Sequence, residues 1–163
     1  MDVGIILPDI RGERAMHSFS ASLPFSLHSA AQVRALDAQL IAAGTSGFAL
    51  MQRAAHAAWR ALRRRWPEAG EITVLAGRGN NAGDGYLIAA LAQRAGWRVR
   101  VLAVGDPAAL SGDAAQARAE ARDAGVAILP WSECAPLAGV VVDALLGTGL
   151  TGDVREPCAQ AIR

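Results

Sequence analysis

The sequence predicts an α/β fold built on a parallel sheet, and three observations carry that prediction. Short, β-rich apolar runs alternate with longer helical stretches, which is the pattern of βαβ units with right-handed crossovers. The chain has 163 residues, one domain at roughly 150 residues each. Apolar residues make up 52% and charged residues 19%, a balance that supports a core and excludes a largely disordered chain.

The elements follow in order. Residues 1–27 read as a flexible leader, because Pro8, Gly12, Pro24 and a scatter of serines interrupt any period. Asp2 and Asp9 flank its short apolar run, unlike the basic start of a secretory signal, so a cytoplasmic protein is expected. The folded domain is expected over residues 28–163. Ser29 and Gln32 have capping-box spacing, and Val33, Leu36 and Leu40 form an apolar stripe on the helix they open. Gly44 is placed to end that helix in a left-handed cap. Ser46 caps a second helix whose Phe48, Met51, Ala55, Trp59 and Leu62 recur at core spacing, and Pro67 stops it. This helix pair leaves room for a homo-oligomer through its apolar side. Ile72–Ala76 reads as a buried strand, followed by a loop over Gly77–Gly83 and a helix from Asp84 to Ala95. Val99–Val104 is the next strand, Asp113–Ala124 the next helix, and Val126–Leu129 and Gly139–Asp143 are the last two strands.

Composition removes several function classes. The net charge of +1 gives no field for nucleic acid or an anionic membrane. No apolar run reaches the ~18 residues that cross a bilayer. Cys134 and Cys158 are too few for a disulfide framework or a four-ligand zinc site. All 16 basic residues are Arg. Without Lys there is no Walker-type phosphate loop, Schiff base or lysine general base.

Ligands of an open parallel sheet bind beyond the carboxyl ends of its strands, and two unusual loops leave such ends here. The first is Gly77-Arg78-Gly79-Asn80-Asn81-Ala82-Gly83-Asp84-Gly85. Its glycines allow close approach of a ligand to the backbone, and a helix N-terminus favours an anion. The two asparagines offer amide oxygens to a hard cation or a polar ring, or are simply turn residues. Asp84 has an alternative role as a helix cap. The second loop runs from Asp143 through Gly147-Thr148-Gly149-Leu150-Thr151-Gly152 to Asp153. Asp143 ends an apolar strand, where a carboxylate calls for a cation, a proton or neighbouring backbone amides. Gly77-x-Gly79-x-x-Ala82 also fits the loose dinucleotide fingerprint, with Asp106 as ribose binder, but that pattern does not require Asn-Asn or Gly-Asp-Gly.

The two loops together resemble those of the NAD(P)H-hydrate epimerase family, the YjeF N-terminal domain. Ala31-Gln32-Val33-Arg34-Ala35-Leu36-Asp37 and Leu50-Met51-Gln52-Arg53-Ala54 resemble that family's opening helix pair. The resemblance implies a Rossmann-like three-layer α/β/α sandwich with a mostly parallel sheet. It also implies an isomerase that interconverts the R and S hydrates of NADH and NADPH at C6, so that a companion dehydratase can restore the cofactor. Carried over residue by residue, it implies that Asn80, Asn81, Ala82, Gly83 and Asp84 contact the hydrated nucleotide, as do Gly147, Thr148, Gly149, Leu150, Thr151, Gly152 and Asp153. Asn81 and Asp143 would hold one potassium ion (K+) per subunit. Ala82 stands where the family often has glycine. The family pattern continues to a Val-Asp-x-Pro-Ser-Gly segment that would complete the site, whereas this sequence ends at Arg163. Either it is part of a longer protein, such as one fused to the dehydratase, or its site lacks that segment.

Asp143 is the expected acid/base, giving and retrieving the proton of the departing hydroxyl. The alternatives are a nucleotide- or partner-binding module without turnover, and a nicotinamide-dependent oxidoreductase on the same fold. The oxidoreductase needs a general acid near the hydride, and Tyr86 is the sole tyrosine.

Overall fold

The computed structural model describes residues 28–163 and the backbone of residues 4–6. Its elements are β1 (Gly4–Ile6), α1 (Ala30–Ala42), α2 (Gly47–Arg65), β2 (Glu71–Ala76), α3 (Asn80–Arg94), β3 (Arg98–Ala103), α4 (Gly112–Asp123), β4 (Ala127–Pro130), β5 (Val140–Ala144) and α5 (Cys158–Ile162). Five strands form one sheet in the order β1-β5-β2-β3-β4. β2, β3, β4 and β5 are parallel, and β1 joins β5 antiparallel, with Gly4 opposite Asp143. The expected α/β fold with a mostly parallel sheet is therefore the fold found. Gly4–Ile6 falls inside the stretch read as a flexible leader and is a strand instead; the rest of residues 1–27 lies outside the described residues.

Strand order decides where the site can be. From β2 the chain steps outward to β3 and β4, then returns to lay β5 on the other side of β2. The carboxyl ends of β2 and β5 thus flank the switch point, where an open α/β sheet leaves a crevice. Both glycine-bearing loops leave from these two ends.

The main core lies on one face, where α2, α3 and α4 cover Ile72, Val74, Val101, Val140 and Val142. The expected α2 stripe holds, with Met51, Ala55, Trp59 and Leu62 all buried. Trp59 meets Trp97 edge-on at 4.9 Å between ring centroids, a geometry that aromatic pairs favour. Leu75, Leu102, Val104, Val141 and Leu145 form a second cluster, joined by Cys158 and Ala161 of α5. Alternation along β5 puts Val142 and Ala144 on the α3 side and Val141, Asp143 and Leu145 on the other. Thr73, fully buried in β2, is satisfied by donating to the Ala138 carbonyl at 2.8 Å, which ties down the approach to β5.

Helix α1 departs from expectation. Its capping box forms as predicted: Ser29 Oγ accepts from the Gln32 amide while Gln32 Oε1 accepts from the Ser29 amide. Its apolar stripe does not reach the core, since Leu36 and Leu40 are 47% and 43% exposed. Periodicity reports that a stripe exists, not that anything covers it. No residue of α1 is buried.

Candidate functional site

The first loop is held by backbone, not by side chains. The Gly77 amide donates to the Ala144 carbonyl at 3.1 Å, which prolongs the β2–β5 pairing into the loop. A Cβ on Gly77 would stand 2.0 Å from the Leu145 carbonyl oxygen, so only glycine allows the two chains to leave the sheet side by side. Helix α3 then begins at Asn80, four residues before the expected start at Asp84. Gly79 is its N-cap and makes no side-chain cap. The amides of Asn80, Asn81 and Ala82 therefore have no intrahelical partner and form the positive pole of the helix.

This start changes the role of Asp84. It is not a cap but sits in the second turn of α3, 5% exposed, and its Oδ1 has no hydrogen-bond partner among the described residues. Burial pushes its carboxyl up to about 6, because a charge without a partner is costly in a low dielectric. Asn80 and Asn81 are not left-handed turn residues either, since no described non-glycine residue has positive φ.

Asn81 joins the two loops. Its Nδ2 donates to the Leu146 carbonyl at 3.0 Å, and Gly147 packs against its Cβ. Asp143, half-buried in β5, accepts the Leu145 amide through Oδ1 at 2.9 Å, so part of its carboxylate does satisfy backbone. Asn81 Oδ1 and Asp143 Oδ2 take no hydrogen bond from a described residue. Both are fixed to the same turn and are the hard oxygens that suit an alkali cation.

The loops open onto a cleft of about 860 Å³. Asn80, Asn81, Asp84, Gly147, Thr148, Gly149, Leu150, Thr151 and Asp153 line it. Other candidate residues do not. Ala82 is fully buried, and Gly83 packs under Met51 and Ala114, which leaves both able to offer only backbone. Gly152 turns the chain at φ 77° outside the lining, and Asp143 lies behind it on the α5 side. Asp106 accepts the Ala108 amide at 2.8 Å, capping a short 3-10 turn.

Six charged residues of the lining stand outside the expected site residues: Arg34 and Asp37 of α1, Arg78, Asp113 of α4, Arg155 and Glu156. A signal existed for three of them. Arg34 and Asp37 are three apart, hence on one helix face, and off the Leu36–Leu40 stripe. Asp113 follows the carboxyl end of β3, another strand end from which a site is built.

Comparison with known proteins bears on these features. The family model described as YjeF-related protein N-terminus matches residues 47–163. The bifunctional NAD(P)H-hydrate repair enzyme Nnr of Coxiella burnetii is 46% identical over 127 residues, 77% of this chain and 26% of that protein. Its Escherichia coli namesake is 42% identical over 73% of this chain and 23% of its own length. The NAD(P)H-hydrate epimerase of Rhodobacter capsulatus is 38% identical over 73% of this chain and 60% of its own. The chain thus spans about a quarter of these bifunctional relatives and three-fifths of that epimerase. The crystal structure of yeast ynu0, YNL200c, superposes with a TM-score of 0.70 over 85% of this chain and 63% of that one, at 23% identity, which establishes a shared fold. No helix among the described residues is long and apolar enough to cross a membrane.

Proposed function

The chain belongs to the family of the YjeF-related protein N-terminus, and on that premise we propose that it interconverts the R and S hydrates of NADH and NADPH at C6. The observation that carries the reading is the Asn81–Leu146 bond, which locks two glycine-bearing turns and the uncapped α3 N-terminus over one cleft. Bare backbone amides and a helix pole suit the phosphates of a dinucleotide. The names of the relatives, epimerase and bifunctional repair enzyme, support the same substrate. On this reading the partner is a dehydratase that consumes the S hydrate, and the setting is cytoplasmic.

The chemistry needs one proton moved twice. A carboxylic acid protonates the C6 hydroxyl, the C6–O bond breaks, and the ring nitrogen lone pair forms an iminium as water leaves. Water then adds to either face and returns its proton to the carboxylate. Asp143 is the proposed acid/base: one oxygen is fixed by the Leu145 amide and the other takes no hydrogen bond from a described residue. Asn81 and Asp143 are also the residues that would hold a potassium ion, which supplies fixed positive charge when bound. Asp84 provides a second candidate for the proton, supported by its unpartnered oxygen and raised carboxyl in the cleft.

Tyr86 tells against an oxidoreductase. It is fully buried in the core, and burial raises its hydroxyl above the usual range, so it cannot reach a hydride acceptor. Chiral chromatography of purified R-hydrate incubated with the protein tests the proposal. R-to-S conversion is expected, with the 340 nm absorbance of authentic NADH unchanged; binding without conversion would leave a non-catalytic module. Asp143→Asn should lose about 10²–10⁴-fold in rate. A parent-like rate in that variant, with a loss in Asp84→Asn, would move the proton to Asp84.

A further inference from the structure

Helix α1 lies against the site without being part of the core. It packs lightly on α2, exposes Leu36, Leu40 and Ile41, and buries no residue. Yet it reaches the second loop, where Arg34 Nη1 donates to the Thr148 carbonyl at 3.5 Å across 114 residues of sequence. Arg34, Asp37 and Ile41 line the same cleft as the two loops.

The charge balance of that cleft gives Arg34 a task. Three arginines line it (Arg34, Arg78 and Arg155) against five acids, Asp37, Asp84, Asp113, Asp153 and Glu156. A polyanionic ligand entering this lining depends on guanidinium groups that are not already neutralised. None of the three has a carboxylate within salt-bridge distance among the described residues, whereas Arg94 pairs with Glu120 and both Arg98 and Arg100 pair with Glu71. Arg78 lies along Gly105 at the exit of β3. Of the three, Arg34 alone bonds the Gly147–Gly149 turn. That bond is long and uses one of five N–H donors, leaving a fork suited to two phosphate oxygens.

We infer that Arg34 is a substrate-binding residue, carried by α1 onto the Thr148 turn to grip the diphosphate of the dinucleotide. This rests on the epimerase reading for the identity of the substrate, but the contact itself is with a diphosphate and is measurable without turnover. ADP-ribose, which carries the diphosphate and no reactive ring, is the probe, with adenosine as control. By calorimetry, Arg34→Gln should weaken ADP-ribose about 10- to 100-fold and leave adenosine unchanged, with Arg34→Lys recovering part of the loss. Affinity should fall with added salt, more steeply for the parent than for Arg34→Gln. In epimerisation, Arg34→Gln should raise KM for the hydrate by a similar factor with kcat within about threefold. Gln falls short of the Thr148 carbonyl, so the salt dependence separates the two roles: a purely tethering Arg34 predicts the same salt slope in the parent and in Arg34→Gln, and that result overturns the inference. Absence of ADP-ribose binding by the parent overturns it as well. Arg34-dependent binding without hydrate conversion would instead overturn the epimerase reading and leave the contact standing.

Discussion

The two glycine-bearing loops look alike in sequence and do different jobs. In the first, every glycine but Gly79 is packed. A Cβ would strike Leu145 backbone from Gly77, Met51 and Ala114 from Gly83, and Ala144 and Val74 from Gly85. In the second, Gly149 and Gly152 have nothing within 4 Å of a Cβ position, and Gly147 meets only Asn81. The first loop spends its glycines on seating α3 against the sheet and the neighbouring helices. The second keeps its backbone open to the cleft. Glycine richness is therefore two signals, close packing inside and access outside, and only the surroundings separate them.

Substitution at the first loop is the sharpest test of that contrast. Gly77→Ala pushes a methyl into a backbone carbonyl that has no freedom to move, and should cost about 3–5 kcal/mol. Urea denaturation measures it; a loss below about 1 kcal/mol would mean that the β2 and β5 exits are not locked together.

The next largest effect concerns Asp84 and is pH-dependent. Its carboxyl stands at about 6 in the folded protein against an ordinary 3.8. The folded state therefore holds this proton more tightly than the unfolded chain. The associated stability is fully present below about pH 4 and is lost as pH rises through 6, a change of about 3 kcal/mol by pH 7.5. Asp84→Asn should abolish that slope and be the more stable protein at pH 7.5. Urea midpoints at pH 4.5 and 7.5 decide, and parallel behaviour of the two proteins would show that Asp84 has a partner in solution. Such a gain on removing an acid marks a residue kept for its site and not for the fold.

The smallest effect on stability is expected at Gly149→Ala, within about 0.5 kcal/mol, because the added methyl meets open space. Its consequence should appear in binding, as a severalfold higher KM for the hydrate. Unchanged KM together with unchanged stability would remove the second turn from the ligand's path.

Much of the fold is legible in the sequence because its rules are local. The Ser29–Gln32 cap, the Met51–Leu62 stripe, and the Ile72–Ala76, Val99–Val104 and Gly139–Asp143 runs all appear where expected, within a residue or two at their ends. The misreadings share one cause. Asp84 has the side chain of a cap, but the chain turned helical at Asn80, with Gly79 as N-cap, just after Gly77 pairs with Ala144 of β5. Leu36 and Leu40 have the spacing of a core stripe, but no described element lies over them. Arg34 and Asp37 share a helix face, but nothing local points Arg34 to the Thr148 carbonyl, 114 residues away.

Periodicity, capping and glycine turns act within a turn or two of chain, so the order and kind of the elements, and the two loops worth watching, were set by residues close to one another. Strand order is a long-range matter. By returning β5 to the far side of β2, it brought Asn81 to Leu146, Arg34 to Thr148 and Asp84 to a cleft where its Oδ1 meets no hydrogen-bond partner among the described residues. Those contacts exist only once the sheet has chosen its neighbours, because hydrogen bonds and desolvation depend on what is nearby in space and carry no mark along the chain.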